Sequence, residues 1–124
     1  MCRCTSNDIE EVVRVAWPYR GTDDPWLVFA YVLQDKDTYV LMPDDNSLYL
    51  FRKTATGEYD SHMIGSLKTL KMAVDWMFKN TDCSVLTATP PSELVDRWGK
   101  RNIKKFGGER KDGKYILRRT LCHQ

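Results

Sequence analysis

A chain of 124 residues is the size of one ordinary domain. Its 42% hydrophobic and 29% charged residues fit one buried core and exclude collagen-like, low-complexity and disordered classes. A formal net charge of +2 is too small to argue for nucleic-acid binding, and no run approaches the ~18 apolar residues of a membrane span.

The N-terminal "MCRCTSNDIEE" has no apolar signal core and turns acidic at once, so an intracellular protein is expected. Cys2 and Cys4 form a C-x-C pair with no second close pair to complete a zinc site, and Cys83 and Cys122 stand alone. Reduced thiols and no metal are expected.

In chain order, Asn7 with Glu10 matches a capping box, followed at helical spacing by Ile9, Val12, Val13 and Ala16, and Pro18 ends this helix. Asp24-Pro25 is a helix cap and first-turn proline before "WLVFAYVLQD", although that apolar run also suits a buried strand. Three strands follow, at 38–42, 47–53 and 59–64, split by "PDDN" and "ATGE". Such short connections imply an antiparallel meander. Ser66 caps the clearest helix, with Leu67, Leu70, Ala73, Val74, Met77 and Phe78 as its apolar stripe. Trp76 falls outside that stripe, either packed on a neighbour or exposed at a protein interface.

"CSVLTA" (83–88) reads as a short strand covered on both faces. With the helix before it, it forms a β-α-β crossover that pairs 83–88 with 59–64 in parallel. Thr89-Pro90-Pro91-Ser92 starts a last helix near Glu93, with Leu94, Val95, Trp98, Ile103 and Phe106 facing inward. Gly107-Gly108 stops it, and Asp112-Gly113 turns the chain into a strand at 114–121. The expected architecture is a single α+β domain over 1–124 with a central, mostly antiparallel sheet. The basic residues crowded between Lys100 and Arg119 read either as a solvated rim or as a contact for phosphates or an acidic partner.

This element order, with "GEYDSHMI", "LKMAVDWMFKNTDCSVLTATPP" and "KKFGGERKDG", resembles the GNAT (Gcn5-related N-acetyltransferase) fold. More narrowly, it resembles the GNAT-like proteins of tailed bacteriophages, some of them regarded as acetyltransferases and others similar to internal virion or head-assembly proteins. The resemblance implies an acetyl-CoA site where two parallel strands splay apart, with the pyrophosphate on the amide-bearing tip of the main helix. The matching stretch here is "HMIGSLKT". Gly65, Ser66, Leu67 and Lys68 are therefore the candidate cofactor-binding residues, although the usual Gln/Arg-x-x-Gly-x-Gly is lacking and the turn is short.

The resemblance also implies a tyrosine acid four residues before the closing glycine and an asparagine in the first turn of the last helix. Those positions hold Ile103 and Asp96. For the base that deprotonates an acceptor amine, the candidates are His62 and Asp60, with Glu58 and Asp82 as further carboxylates near the expected splay. Asp60 and His62 share a strand face by period two and form a potential polar pair. The plain alternatives are a hydrogen-bonded structural histidine and a serine-capped helix start.

Three functional readings follow. The leading one is a non-catalytic GNAT-like protein of phage type, working by protein contact in virion or head assembly. It needs no cofactor, its partners are other assembly proteins, and it belongs in the host cytoplasm and the virion, as an oligomer or part of a larger assembly. The second is an active N-acetyltransferase using acetyl-CoA. A nucleic-acid-binding module is a weaker third reading, because Tyr115 is the one aromatic from residue 109 onward that offers a stacking platform. No membrane partner is expected.

Overall fold

The computed structural model describes residues 1–119. Helices α1 (Ile9–Ala16) and α2 (Pro25–Val32) precede strands β1 (Thr38–Leu41), β2 (Leu48–Ala55) and β3 (Glu58–Ile64). Helix α3 (Leu67–Asn80), strand β4 (Val85–Ala88), helix α4 (Glu93–Asn102) and the hairpin β5 (Glu109–Lys111) and β6 (Lys114–Arg118) complete the order. The expected strand residues 120 and 121, with Cys122 and His123, lie outside the described residues.

The six strands form one sheet in the order β1-β2-β3-β4-β6-β5. β3 and β4 run parallel, with Glu58 opposite Val85, Tyr59 opposite Leu86 and Asp60 opposite Thr87, while the other neighbours are antiparallel. The meander and the crossover are as expected, and the architecture is α+β. Alternation along β2 sends Leu48 to one face of the sheet and Tyr49 and Phe51 to the other. On the first face Leu48 and Val40 pack against Val12, Val15 and Ala16 of α1 and Phe29 of α2. On the second, Tyr49, Phe51, Tyr59 and Leu86 meet Leu70, Ala73, Val74 and Met77 of α3, joined by Trp98 and Phe106.

Some local expectations are corrected, and the helical reading after Asp24-Pro25 holds. The capping box belongs to Thr5 and Asp8, just before Asn7 and Glu10. The Asp8 carboxylate accepts from the Thr5 N–H at 2.7 Å, fixing a 3₁₀ turn that leads into α1. The run after Asp24-Pro25 is helical because the Asp24 carboxylate accepts the Trp26 N–H at 3.0 Å, closing the first turn. Cys83 precedes β4 rather than opening it, and only Leu86 of β4 is fully buried, so this strand is less covered than its apolar run suggests.

Leu94 and Val95 do not face the core. Leu94 is 71% exposed because it lies off the stripe made by Val95, Trp98, Asn102 and Ile103, and Val95 is exposed to an open cavity. Trp76 is half-buried, against Tyr39 at 6.0 Å between ring centroids, with its indole N–H donating to the Met1 carbonyl. Gly107 ends the last helical turn in the left-handed conformation, φ +72°, as the double glycine predicts.

Candidate functional site

Two proline residues shape the site. Pro90 and Pro91 follow β4 and carry no N–H, so β4 cannot regain ladder pairing beyond Thr89. The last paired residues are Asp60 and Thr87, whereas β3 runs on to Ile64. Beyond that pair the two strands part. The Ser61 hydroxyl bridges the start of the gap, donating to the Thr87 carbonyl at 2.8 Å. The β4-facing edge of β3 from there on has no strand partner, which leaves main-chain groups available to an extended ligand.

A cavity of about 510 Å³ opens in this gap, within the range of small-molecule sites. Leu70 and Val74 of α3 form one wall, Trp98, Asn102 and Ile103 of the α4 segment form another, and Ala88 and Tyr115 line it from the sheet. A second cavity of about 470 Å³ lies on the α1/α2 face, lined among others by Tyr19, Arg20, Asp23 and Leu50. His62 and Met63 line both cavities.

The structure sorts the candidate bases. Asp60 and His62 do share a face of β3, because Arg52 and Leu50 stand opposite them on β2. They do not pair with each other. The Asp60 carboxylate holds Arg52 at 2.9 Å through Oδ2, while its Oδ1 is buried without a partner. His62 is exposed. Glu58 and Asp82 are at the wrong end of the strands for the splay. Glu58 is where the parallel pairing begins. Asp82 follows α3 and accepts from the Tyr59 hydroxyl at 2.6 Å and from Lys53 Nζ at 2.9 Å. These two donors hold its carboxyl below the usual carboxylate range, so Asp82 is a structural ion.

The tip of α3 carries Gly65, Ser66, Leu67 and Lys68 at the end of β3, as expected, but its donors are largely spent. The Ser66 N–H donates to Thr69 Oγ1 at 3.1 Å and the Thr69 N–H to Ser66 Oγ at 3.3 Å, a reciprocal capping box. The buried Tyr49 hydroxyl fills the space behind, 2.7 Å from Thr69 Oγ1 and 3.2 Å from the Ser66 carbonyl. A Cβ on Gly65 would come within 2.3 Å of that hydroxyl. The N–H groups of Leu67 and Lys68 remain as first-turn donors. The Lys68 ammonium is close enough to the Asp44 carboxylate to help lower its pKa, after the Asn46 N–H and Ser47 hydroxyl. Two amides and a shared lysine make a weak diphosphate cradle.

Sequence reasoning missed the device that holds α4 over the cavity. Arg110 makes a two-pronged pair with Asp96, both contacts at 3.0 Å. The Tyr115 hydroxyl donates to Asp96, whose Oδ1 and main-chain oxygen lie 2.5 and 2.7 Å away. Arg110 and Tyr115 pull the Asp96 carboxyl down to about 2. Part of the basic stretch is therefore a clamp between hairpin and helix, and Arg118 is likewise paired, with Glu109. The available signal was one acid in α4 facing a hairpin of basic residues, but the partner depends on how the hairpin folds back.

Thiol chemistry is not available from Cys83, which burial pushes up to about 12, nor from Cys4, pushed up to about 11 mainly by burial. No group of three or more potential metal ligands occurs among the described residues, nor does any helix there have the length and apolarity to cross a membrane.

No family model matches the sequence, and no curated protein matches it. Two solved structures are similar. One is an N-acetyltransferase, PseH of Campylobacter jejuni, at TM-score 0.57 and 12% identity over 94% of this chain and 93% of that one. The other is a domain from Methanocaldococcus jannaschii, at TM-score 0.55 and 12% identity over 97% of this chain and 96% of that one. At such identity the likeness speaks for the path of the backbone alone. With its parallel splay and flanking helices, the chain has a GNAT-like fold.

Proposed function

We propose that the splay between β3 and β4 binds the thioester arm of acetyl-CoA and that the chain transfers the acetyl group to an amine. The observation that carries this reading is the pair of cavities on opposite faces of the sheet, both lined by His62 and Met63. A thioester on the α3/α4 side and an amine on the α1/α2 side would meet there. The apolar lining by Leu70, Val74, Trp98 and Ile103 suits a pantetheine arm and keeps water from the thioester. Gly65, Ser66, Leu67 and Lys68 stand at the diphosphate end and contribute two amides and one ammonium.

In the transfer, the amine nitrogen forms a bond to the acetyl carbon as the carbon–sulfur bond breaks. His62 takes the proton from nitrogen, with Asp60 a residue on the same strand face that sets the local charge. The electron pair leaves on sulfur. A thiol is acidic enough, near about 8.5, to depart as thiolate into solvent without a dedicated acid.

Titration calorimetry and thermal unfolding with acetyl-CoA test the binding. Saturation at a hundredfold the dissociation constant stabilises the fold by about 2.7 kcal/mol, and Ala88→Phe, which fills the cavity, abolishes the effect. His62→Ala keeps binding but removes release of free thiol in the presence of amines. An absence of both heat and stabilisation at millimolar acetyl-CoA would overturn the reading.

A second reading, a non-catalytic assembly protein, is favoured by one observation: the outer face of α2 is apolar and exposed. Its phage setting rests on the sequence resemblance alone.

A further inference from the structure

Helix α2 reads "PWLVFAYV" and carries no charge, a run that extends through Leu33. A helix apolar all round is the pattern of one covered on both sides. Here only Pro25 and Phe29 are buried, against α1 and the sheet. The outward face, at positions i, i+1, i+4 and i+5, is Trp26, Leu27, Ala30 and Tyr31. Leu27 and Tyr31 are each 74% exposed and Trp26 45%. Val28 flanks this face, and Tyr19 is exposed on the segment between α1 and α2. Single exposed apolar residues are ordinary, but a contiguous aromatic face is the mark of a contact.

We infer that this face joins two copies of the chain, α2 against α2 about a two-fold axis. Tyr19 and Val28 also line the α1/α2 cavity, so the contact borders that cavity, but the proposal does not depend on what the cavities bind. Area is the first reason. At roughly 200 Å² per large side chain, the exposed parts of Tyr19, Trp26, Leu27, Val28 and Tyr31 amount to about 600 Å². Polar residues around them raise this toward the about 800 Å² that each partner gives a stable interface.

Charge is the second reason. A neutral face meets its own copy without repulsion, as an isologous contact requires. Antiparallel α2 helices bring Asp23 and Asp24, before the N-terminus of one, near Asp35, Lys36 and Asp37, beyond the C-terminus of the other, so the flanks repel and added salt tightens the contact. The helix dipoles then oppose favourably. Ala30 in the middle of the face lets the two backbones approach. The same flanks argue against a lipid surface, because membrane-lying helices carry lysine and arginine beside the apolar face. Here Asp23, Asp24, Asp35 and Asp37 outnumber Arg20 and Lys36.

Sedimentation equilibrium and light scattering on the full chain, from low to high micromolar, test the proposal. The expected mass is twice 14.5 kDa. Leu27→Asp with Tyr31→Asp changes two solvent-facing side chains and raises the dissociation constant at least about a hundredfold. The milder Tyr31→Glu weakens it in the same direction, and Lys71→Asp on α3 leaves it unchanged. A monomer at high micromolar concentration overturns the proposal, whether or not phosphatidylcholine vesicles capture it. So does a dimer that the α2 variants do not weaken, or a mass that grows without limit.

Discussion

Gly99 faces the ring of Tyr115, and substituting it tests how α4 is held over the cavity. An alanine Cβ at this position would lie 2.6 Å from Cζ, 2.8 Å from the hydroxyl and 2.9 Å from Cε2 of Tyr115. The ring cannot swing away freely, because its oxygen is tied to Asp96, three residues earlier on the same helix. Overpacking of this kind costs about 1–3 kcal/mol. Against it stands the helix preference of alanine over glycine, about 1 kcal/mol. The clash therefore wins by about 1 kcal/mol, equivalent to about 3–5 °C in Tm for a domain of this size. In a Tyr115→Val background the ring is gone, the strand residue is suitable, and the same Gly99→Ala change stabilises by about 1 kcal/mol. The coupling of about 2 kcal/mol is read from urea unfolding of the four proteins in a double-mutant cycle. Stabilisation in both backgrounds would show that α4 does not rest on Tyr115, and the roof of the cavity would lose its support.

Four further outcomes are expected. The Asp96 carboxyl is depressed to about 2, so its stabilising effect is full above the ordinary carboxylate range, near about 4, and is lost as pH falls toward about 2. The stability difference between wild type and Asp96→Asn, from urea unfolding, is flat above about pH 5 and shrinks below about pH 4. Thr69→Val removes the hydroxyl shared by Tyr49 and the Ser66 N–H and destabilises by about 1 kcal/mol in the same assay, since Tyr49 can still donate to the Ser66 carbonyl. Mapped alkylation of the native protein at neutral pH labels exposed Cys2 well before Cys83, whose thiol is buried and pushed up to about 12. Asp44→Asn frees Lys68 of a competing carboxylate and tightens acetyl-CoA binding about threefold by calorimetry, with no change for acetyl-pantetheine, which lacks the diphosphate.

What the sequence disclosed follows the range of the forces involved. Local signals were legible: Ser66 and Asp24 as caps, Gly107 as a stop, Asp112-Gly113 as a turn, and the alternation of β2. The β3–β4 crossover was also legible, because connection length and the two-sided apolar run leave few topologies. Features that depend on distant partners were not. Asp82 and Glu58 lie near the splay in sequence, but the register shows that pairing begins, rather than ends, beside them. Asp60 stands next to His62 along its own strand face, whereas its partner, Arg52, comes from across the ladder. Leu94 looks internal because it stands one helical turn before Trp98, whereas the face turned to the cavity is that of Val95, Trp98 and Asn102. The cavity itself was implied by resemblance, and its openness emerges only when Pro90 and Pro91 are seen to halt β4 where β3 continues.

Under the proposed function, the site is asymmetric in a chemically consistent way. At the diphosphate end, hydroxyls of Ser66, Thr69 and Tyr49 have taken over the donors and the space that an anion would use. At the thioester end, an unpaired strand edge and an apolar cavity remain open. Binding energy would then come from the arm rather than the phosphates. Acetyl-pantetheine should retain most of the affinity of acetyl-CoA, where a full amide cradle would make it lose several kcal/mol. The same asymmetry bears on catalysis. Ile103 lines the cavity where the family resemblance places an acid, so no acid stands at that position for the departing sulfur, which leaves as thiolate toward solvent. A solvated thiolate departs without an acid, whereas an attacking ammonium must first lose a proton. Of the two proton transfers, only amine deprotonation then requires a side chain, and His62 occupies the point where both cavities touch the strand.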